Sequence, residues 1–504
     1  MSNMTRRKFL QSIGVGTAAV ALAPVFAGSV AFPKNQRGGQ SPNVVLINVD
    51  DLGWTDLSCQ GSTYFETPHI DQLASQGMRF TDGYAACAVC SPTRAAIMTG
   101  RYPARVGITD WIRARFQGGE IPEDKQNPTA YVGEADKKLL TPPNPLWMEN
   151  EEITIAEMLE EAGYVSCHIG KWHLGADDWY PTEQGFNFNI GGCDYGQPPS
   201  YFDPYCNPRQ GCIPTIEPRK EGEYLTDREA DEAVRFIEAH QDEPFFLYMA
   251  HYAVHTPIQG KQELIDRYQE KPVTNQKNPE YGAMVHSVDQ STGQILQALN
   301  DLGLMVNTLV IFTSDNGGLE GPTDNAPLRS GKGYPYEGGI RVPVIIRWPG
   351  VVPAATVSYA PVISMDYFPT ILEAAGIDPP VNRTIDGVSL LAHLRSGGET
   401  SLERKTLFWH FPHYRQGHRV PPYGIVRHGD WKLIKWYEKP TFELYNLHED
   451  LGEQHNLAEQ MPAKVQKLNA LLTQMQQATN ARLPRENPDY DPAAEQAWWQ
   501  NQTT

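Results

Sequence analysis

Four stretches of this chain share one pattern: an apolar, β-branched run of six or seven residues that ends abruptly in polar side chains. Asn43–Val49 runs into Asp50 and Asp51, and Gly163–Ile169 runs into Gly170, Lys171, Trp172 and His173. Pro244–Ala250 leads to His251 and then His255, while Thr308–Thr313 leads to Asp315, Asn316, Gly317 and Gly318. A strand with one wet face alternates apolar and polar residues, so runs apolar throughout are covered on both faces. That is the situation of parallel strands between helices. The predicted fold is therefore α/β, a large mixed, mostly parallel sheet sandwiched by helices. In such sheets ligands gather at the carboxyl ends of the strands, and the unusual polar residues of this chain fall there.

Asp50, Asp51, Asp315 and Asn316 supply hard oxygen donors at two strand ends, which suits calcium or magnesium rather than zinc. Each pair alone reads as a helix cap or a turn; their equivalent positions favour a shared cation. Arg94, Lys171, Lys332 and Arg341 lie beside strand ends or glycine-rich turns. Lone lysines are usually solvated, but basic residues with a divalent ion stabilise a tetrahedral anion in transfer. His173 and His255 follow strands closely, a placement that favours proton transfer near neutral pH over a satisfied core imidazole.

Cys90 opens the string Cys90-Ser91-Pro92-Thr93-Arg94, which continues to Thr99-Gly100-Arg101. Proline at the first helical position and an arginine one turn later place the cysteine at a helix mouth, facing unsatisfied N–H donors. The plain alternative is a small buried thiol. The chain has 7 cysteines, an odd count that leaves at least one outside any disulfide. Cys206 and Cys212, close together in a proline-containing loop, are the best disulfide candidates. Cys87 and Cys90 form a C-x-x-C pair, but no second pair follows to complete a zinc site.

Residues 1–31 read as an address. Thr5-Arg6-Arg7-Lys8-Phe9-Leu10 is a twin-arginine pattern, and the apolar stretch Ile13–Ala27 is interrupted by glycine and proline. It falls short of the roughly 20 apolar residues of a membrane span. Export of the folded protein by twin-arginine translocation machinery to the periplasm or beyond is expected, with no membrane span in the chain. The formal net charge of −18 argues against a nucleic-acid partner, which needs a basic surface. Positive charge for an anionic substrate has to be concentrated inside a pocket.

These strings together resemble the type I, formylglycine-dependent sulfatases of the alkaline-phosphatase superfamily. The likeness rests on Asn48–Gly53, Cys90–Arg101, Gly170–Gly175, His251–Pro257, Thr313–Gly318, Gly331-Lys332-Gly333 and Glu337–Pro343. It implies that a maturation enzyme converts Cys90 to formylglycine. It also implies a calcium site, with magnesium second, formed by Asp50, Asp51, Asp315, Asn316 and an oxygen of modified Cys90. In the implied mechanism Arg94 helps hold the hydrated aldehyde, which attacks sulfur and becomes a covalent sulfate ester. Lys171 and Lys332 neutralise the sulfate oxygens, His255 protonates the leaving alcohol, and His173 assists release of sulfate.

Residues 32–400 are expected to form the catalytic domain and 401–504 a smaller antiparallel sheet with a helix. Leu407–Pro412, Gly424–Trp436 and Phe442–Leu447 read as strands, with a hairpin turn at Arg427–Asp430, and Ala463–Ala478 has helical spacing. The last residues, with Trp498 and Trp499, read as a loosely packed tail. The loop carrying His410, His413 and Arg415 is a candidate for substrate specificity, alternatively an ordinary exposed loop. The resemblance implies a sulfated carbohydrate substrate of galactose or N-acetylgalactosamine type. Two other readings fit the same residues, a phosphate or phosphonate ester hydrolase and a silent binder of sulfated glycans.

Overall fold

All four apolar runs are neighbouring strands of one eight-stranded sheet. The computed structural model describes residues 41–415 and 417–502; the expected export segment, residues 1–31, lies outside them. In chain order the sheet contains β1 (Asn43–Val49), β2 (Met78–Phe80), β3 (Val165–Gly170) and β4 (Phe188–Ile190). It continues with β5 (Phe245–Ala250), β6 (Thr308–Ser314), β7 (Val344–Arg347) and β8 (Thr356–Ser358). Their spatial order is β8-β2-β7-β6-β1-β5-β3-β4. The five strands from β6 to β4 are parallel, and β7 alone runs against its neighbours.

The side chains of β1 show why the run is apolar throughout. Val45, Ile47 and Val49 pack on one face against helices α1 (Pro68–Ser75), α3 (Leu225–Ala239) and α4 (Pro279–Asp301). Val44 and Leu46 point the other way, into a core shared with α2 (Cys90–Thr99) through Ala95, Ile97 and Met98. Period-two alternation thus sends successive residues into two different helical layers. Each buried aliphatic side chain contributes about 1.5–3 kcal/mol. The rigid central strands fix where their polar ends meet.

The C-terminal strands form a second, antiparallel sheet: β9 (Thr406–Phe411), β10 (Tyr423–His428), β11 (Trp431–Trp436) and β12 (Phe442–Asn446). The β10–β11 hairpin turns through Gly429, whose φ of 60° suits glycine. Helix α5 (Pro462–Ala478) covers this sheet with Leu468 and Leu472. The core under the sheet also takes in Tyr84, Val89 and Ile340, so its burial extends to the start of α2.

A buried ionic cluster crosses the same contact. Glu337 accepts hydrogen bonds from Tyr84 Oη (2.7 Å), Arg341 Nε (2.7 Å) and Lys432 Nζ (2.9 Å). Asp82 pairs with Arg341 at 2.8 Å and Arg427 at 2.6 Å, and Glu453 lies 2.8 Å from Lys432. Arg341 therefore belongs to this lock and not with the basic residues at the strand ends. Its neighbour Glu337, on the same short helical turn Glu337–Ile340, draws it away from them.

One local expectation needs correction, and the cysteine pairing agrees with the sequence reading. Residues Pro492–Asn501 form a helix, α6, whose first turn is capped by Asp491 accepting from the Ala493 N–H at 2.9 Å. Trp498 packs its ring 4.9 Å from that of His418 and lies 5.4 Å from Lys137 Nζ, so the segment is anchored rather than loose. Cys206 and Cys212 form a disulfide, whereas Cys59, Cys87, Cys90, Cys167 and Cys193 are free.

Candidate active site

Cys90 is the first residue of α2, with Val89 extended before it. Pro92 stands at the third helical position rather than the first. The substitution of ring for N–H costs nothing there, because the first-turn N–H groups have no helical acceptor. Cys90 is 3% exposed and Arg94, one turn on, is 1% exposed. The helix points its N-terminus at the strand ends of the large sheet.

Those strand ends supply the rest of the site. Asp50 and Asp51 follow β1, Lys171 follows β3, His255 lies beyond β5, and Asp315 and Asn316 follow β6. Lys171 Nζ sits 2.6 Å from Asp50 Oδ2. Arg94 Nε donates to Asp315 Oδ2 at 2.8 Å, and its Nη1 donates to the Lys171 carbonyl at 2.6 Å. Lys332 Nζ lies 2.6 Å from Asp51 Oδ1, which also accepts from Asn316 Nδ2 at 2.8 Å. His255 Nε2 is 3.6 Å from Asp51 Oδ2. Donor atoms of Asp50, Asp51, Cys90 and His255 all fall within 4.8 Å of one another.

The backbone is forced to make these approaches. Asp51 and His173 have φ of 63° and 59°, left-handed values that cost energy in residues with a side chain. Asp51 N–H donates to Asp315 Oδ1 at 3.3 Å, and His173 N–H to the Cys193 carbonyl at 2.9 Å, holding both turns. Strained backbone of this kind concentrates at functional sites.

The charges explain how the site is tuned. Burial pushes the Cys90 thiol up, but Lys171 and Lys332 overcome it, and a hydrogen bond to His255 helps, so that it settles at about 6. Burial, then the charge of Asp315, holds Asp50 well above the usual carboxylate range against the pull of Lys171. Asp51 is held well below that range: burial opposes ionisation, but Lys332 and His255 prevail. Burial and Lys332 push His255 down, yet Asp51 and Asp50 lift it above the ordinary imidazole value. His173 is driven well below that value by burial, Lys171 and Arg94.

A divalent cation fits these residues. Asp50 Oδ1, Asp51 Oδ2 and Asn316 Oδ1 are buried oxygens that make no hydrogen bond. A buried acceptor without a partner is costly unless a ligand completes it. Three carboxylates here face Arg94, Lys171 and Lys332, so a dication leaves net positive charge for an anionic substrate. Hard oxygens dominate the donor set, which matches calcium or magnesium.

The two histidines present different nitrogens. His173 Nε2 lies 2.7 Å from the Ile112 carbonyl, so it carries the proton, and Nδ1, which has no hydrogen-bond partner, keeps the lone pair. His255 Nδ1 lies 3.0 Å from the Thr256 carbonyl, which turns Nε2 toward Asp51 and Cys90.

The three C-terminal candidates separate: His410 lies on strand β9, and only His413 and Arg415 fall in the loop beyond it. His410 is committed on both sides, Nδ1 at 2.9 Å from Tyr437 Oη and Nε2 at 3.0 Å from the Arg482 carbonyl. Burial pushes it down to about 4, as a neutral core imidazole. His413 Nε2 lies 2.8 Å from Thr109 Oγ1 and burial pushes it to about 3. Arg415 alone reaches the site, lying against Gly333 beside Lys332. Asp110, near Arg415, escapes notice in the sequence because it sits in an irregular loop without periodicity or a motif.

Comparison with known proteins identifies the family. The family model described as sulfatase matches residues 42–377, and a second, described as N-sulphoglucosamine sulphohydrolase, C-terminal, matches 331–481. A protein named sulfatase from Formosa agariphila is 33% identical over 88% of this chain and 88% of its own length. An N-acetylgalactosamine-6-sulfatase from Canis lupus familiaris is 36% identical over 71% of this chain and 67% of its own. A crystal structure of Ps i-CgsB in complex with k-i-k-neocarrahexaose superposes with a TM-score of 0.73. It is 27% identical and covers 92% of this chain and 98% of that one. Matched along its length and folded on the same plan, the chain belongs to the type I sulfatases, sulfuric ester hydrolases of the alkaline-phosphatase superfamily.

Proposed function

We propose that the protein is exported to the periplasm or beyond and removes sulfate from a saccharide, a galactose or N-acetylgalactosamine unit of a larger glycan. The carbohydrate reading is supported by relatives named for N-acetylgalactosamine 6-sulfate and by a similar structure holding a neocarrahexaose. One observation carries the chemistry: the buried Cys90 faces Lys171, Lys332 and His255, beside the unpartnered oxygens of Asp50, Asp51 and Asn316. A maturation enzyme is needed to convert Cys90, and twin-arginine machinery to carry the folded product.

When present, the formylglycine hydrate supplies one hydroxyl to attack sulfur and a second by which sulfate is later released. Asp50, Asp51, Asp315 and Asn316 would hold calcium, which polarises oxygen and offsets negative charge. Arg94, pinned by Asp315 and the Lys171 carbonyl, keeps the start of α2 in register with that carboxylate cluster. Lys171 and Lys332 present fixed cations to the sulfate oxygens, with no reorganisation needed at the moment of reaction. His255, kept protonated by Asp51 and Asp50, gives its Nε2 proton to the departing alcohol. His173, kept neutral by its cationic surroundings, accepts a proton at Nδ1 during release of sulfate.

Rates on matched aryl sulfate and aryl phosphate esters, followed by defined sulfated saccharides, test this reading. Faster cleavage of the sulfates, with release of inorganic sulfate from a galactoside or N-acetylgalactosamine sulfate, is expected. Dominant phosphatase activity overturns it. Chelation should abolish turnover and lower the thermal midpoint, since three buried carboxylates then lose their counter-ion. Calcium at about 100 times its dissociation constant restores about 2.7 kcal/mol; an unchanged midpoint on chelation and re-addition contradicts the cation site.

A further inference from the structure

Of His410, His413 and Arg415, it is Arg415 that reaches the site, and its Nε has no hydrogen-bond partner among the described residues. A Cβ added at Gly333 would lie 1.9 Å from Arg415 Nε, so the guanidinium rests directly on that glycine, one residue from Lys332. Its Nε is buried and makes no hydrogen bond. Among the described residues the guanidinium forms no ion pair, although arginine is the residue best suited to bidentate pairing. The backbone behind it is firm: Arg415 and Val420 exchange both N–H···O bonds, at 3.0 and 3.1 Å.

Asp110 carries the complementary charge nearby and is likewise held by its backbone. Asn144 accepts from the Asp110 N–H at 3.0 Å and donates to the carbonyls of Asp110 and Trp111, both at 3.1 Å. One Asp110 oxygen, Oδ1, accepts from the Trp111 N–H at 2.9 Å, and Oδ2 has no donor among the described residues. Two residues on, the Ile112 N–H donates to Ser91 Oγ at 2.9 Å, and its carbonyl meets His173, which ties this loop to the catalytic helix. The loops of Asp110 and Arg415 are joined by the 2.8 Å contact between Thr109 Oγ1 and His413 Nε2. Burial raises the Asp110 carboxyl to about 6 even though Arg415 and Arg113 pull it down.

Asp110 and Arg415, each braced by its backbone and, among the described residues, not closed into an ion pair, present an acceptor and a donor on two joined loops, with Arg415 beside Lys332. Ring hydroxyls match that pattern because each both donates and accepts. A second sulfate or carboxylate fits less well, since Asp110 repels it. We propose that Asp110 and Arg415 are specificity determinants that grip hydroxyls of the sugar ring bearing the sulfate ester. Asp110 accepts from one hydroxyl and Arg415 donates to another. His413 is a positioning residue that sets the spacing of the two loops.

This inference rests on the carbohydrate reading, and its test separates the two. Steady-state rates are measured for wild type, Asp110→Asn and Arg415→Gln on three probes. These are 4-nitrophenyl sulfate, the galactoside monosulfate that wild type cleaves fastest, and its monodeoxy analogues. Each substitution should lower kcat/KM on the sugar sulfate about 30-fold more than on the aryl sulfate, the loss expected for a hydrogen bond to a charged group. One deoxy analogue should cost wild type a similar factor and cost the matching variant nothing further. Equal losses on sugar and aryl esters, or undiminished deoxy penalties in both variants, overturn the proposal alone. Wild type that cleaves the aryl sulfate but no sulfated galactoside overturns the carbohydrate reading and this proposal with it.

Discussion

Cys90→Ala should lower turnover of every sulfate ester by about 10⁴- to 10⁶-fold, the range expected when a nucleophile is removed. The fold should survive, because α2 is held by Ala95, Ile97 and Met98 in the core and not by the thiol. Circular dichroism and a thermal midpoint close to wild type check that the loss is chemical. Cys90→Ser gives a sharper result because its side chain has similar volume and retains a hydroxyl. A serine that attacks sulfur has no second hydroxyl with which to release it, so it should react once and stop. The expected signature is one equivalent of alcohol released and a mass gain of about 80 Da on the peptide containing residue 90. Multiple turnovers by either variant contradict the assignment.

The second large effect concerns stability. Glu337 is fully buried and accepts from Tyr84, Arg341 and Lys432 together. Burial alone would push its carboxyl up, but Lys432 and Arg341 hold it well below the usual range, so it is charged in the folded protein. Glu337→Ala removes that charge and leaves Lys432 and Arg341 buried with fewer counter-charges. Breaking one side of a buried pair costs about 3–5 kcal/mol, enough to move the denaturant midpoint clearly. The double variant Glu337→Ala/Lys432→Met should be less destabilised than the sum of its single changes, because it removes both charges. Strict additivity contradicts the direct coupling of Glu337 and Lys432 seen in the structure.

Much of the site was legible because it is built on regular elements. The run Asn43–Val49 matches β1 residue for residue, and the polar pairs that follow β1 and β6 converge because those strands are adjacent and in register from Asn43 with Thr308 to Val49 with Ser314. Cys90 and Arg94 keep their relation through one helical turn. What escaped depended on distant partners. Arg341 looks like a strand-end cation until Glu337 and Asp82 claim it. His410 looks like a sugar ligand until Tyr437 and Arg482 enclose it. The tail around Trp498 gains its order from His418 and Lys137, far away in the chain. Asp110 has no local pattern at all; Asn144, 34 residues later, gives it a fixed position.

Every proposed catalytic role depends on what residue 90 has become. Mass spectrometry of the peptide spanning Cys90–Arg101, from active protein coexpressed with a formylglycine-generating enzyme, reads it directly. A species lighter than the cysteine form by about 18 Da, the replacement of a thiol by an aldehyde, is expected in proportion to specific activity. Full activity with an unmodified thiol at Cys90 would contradict it.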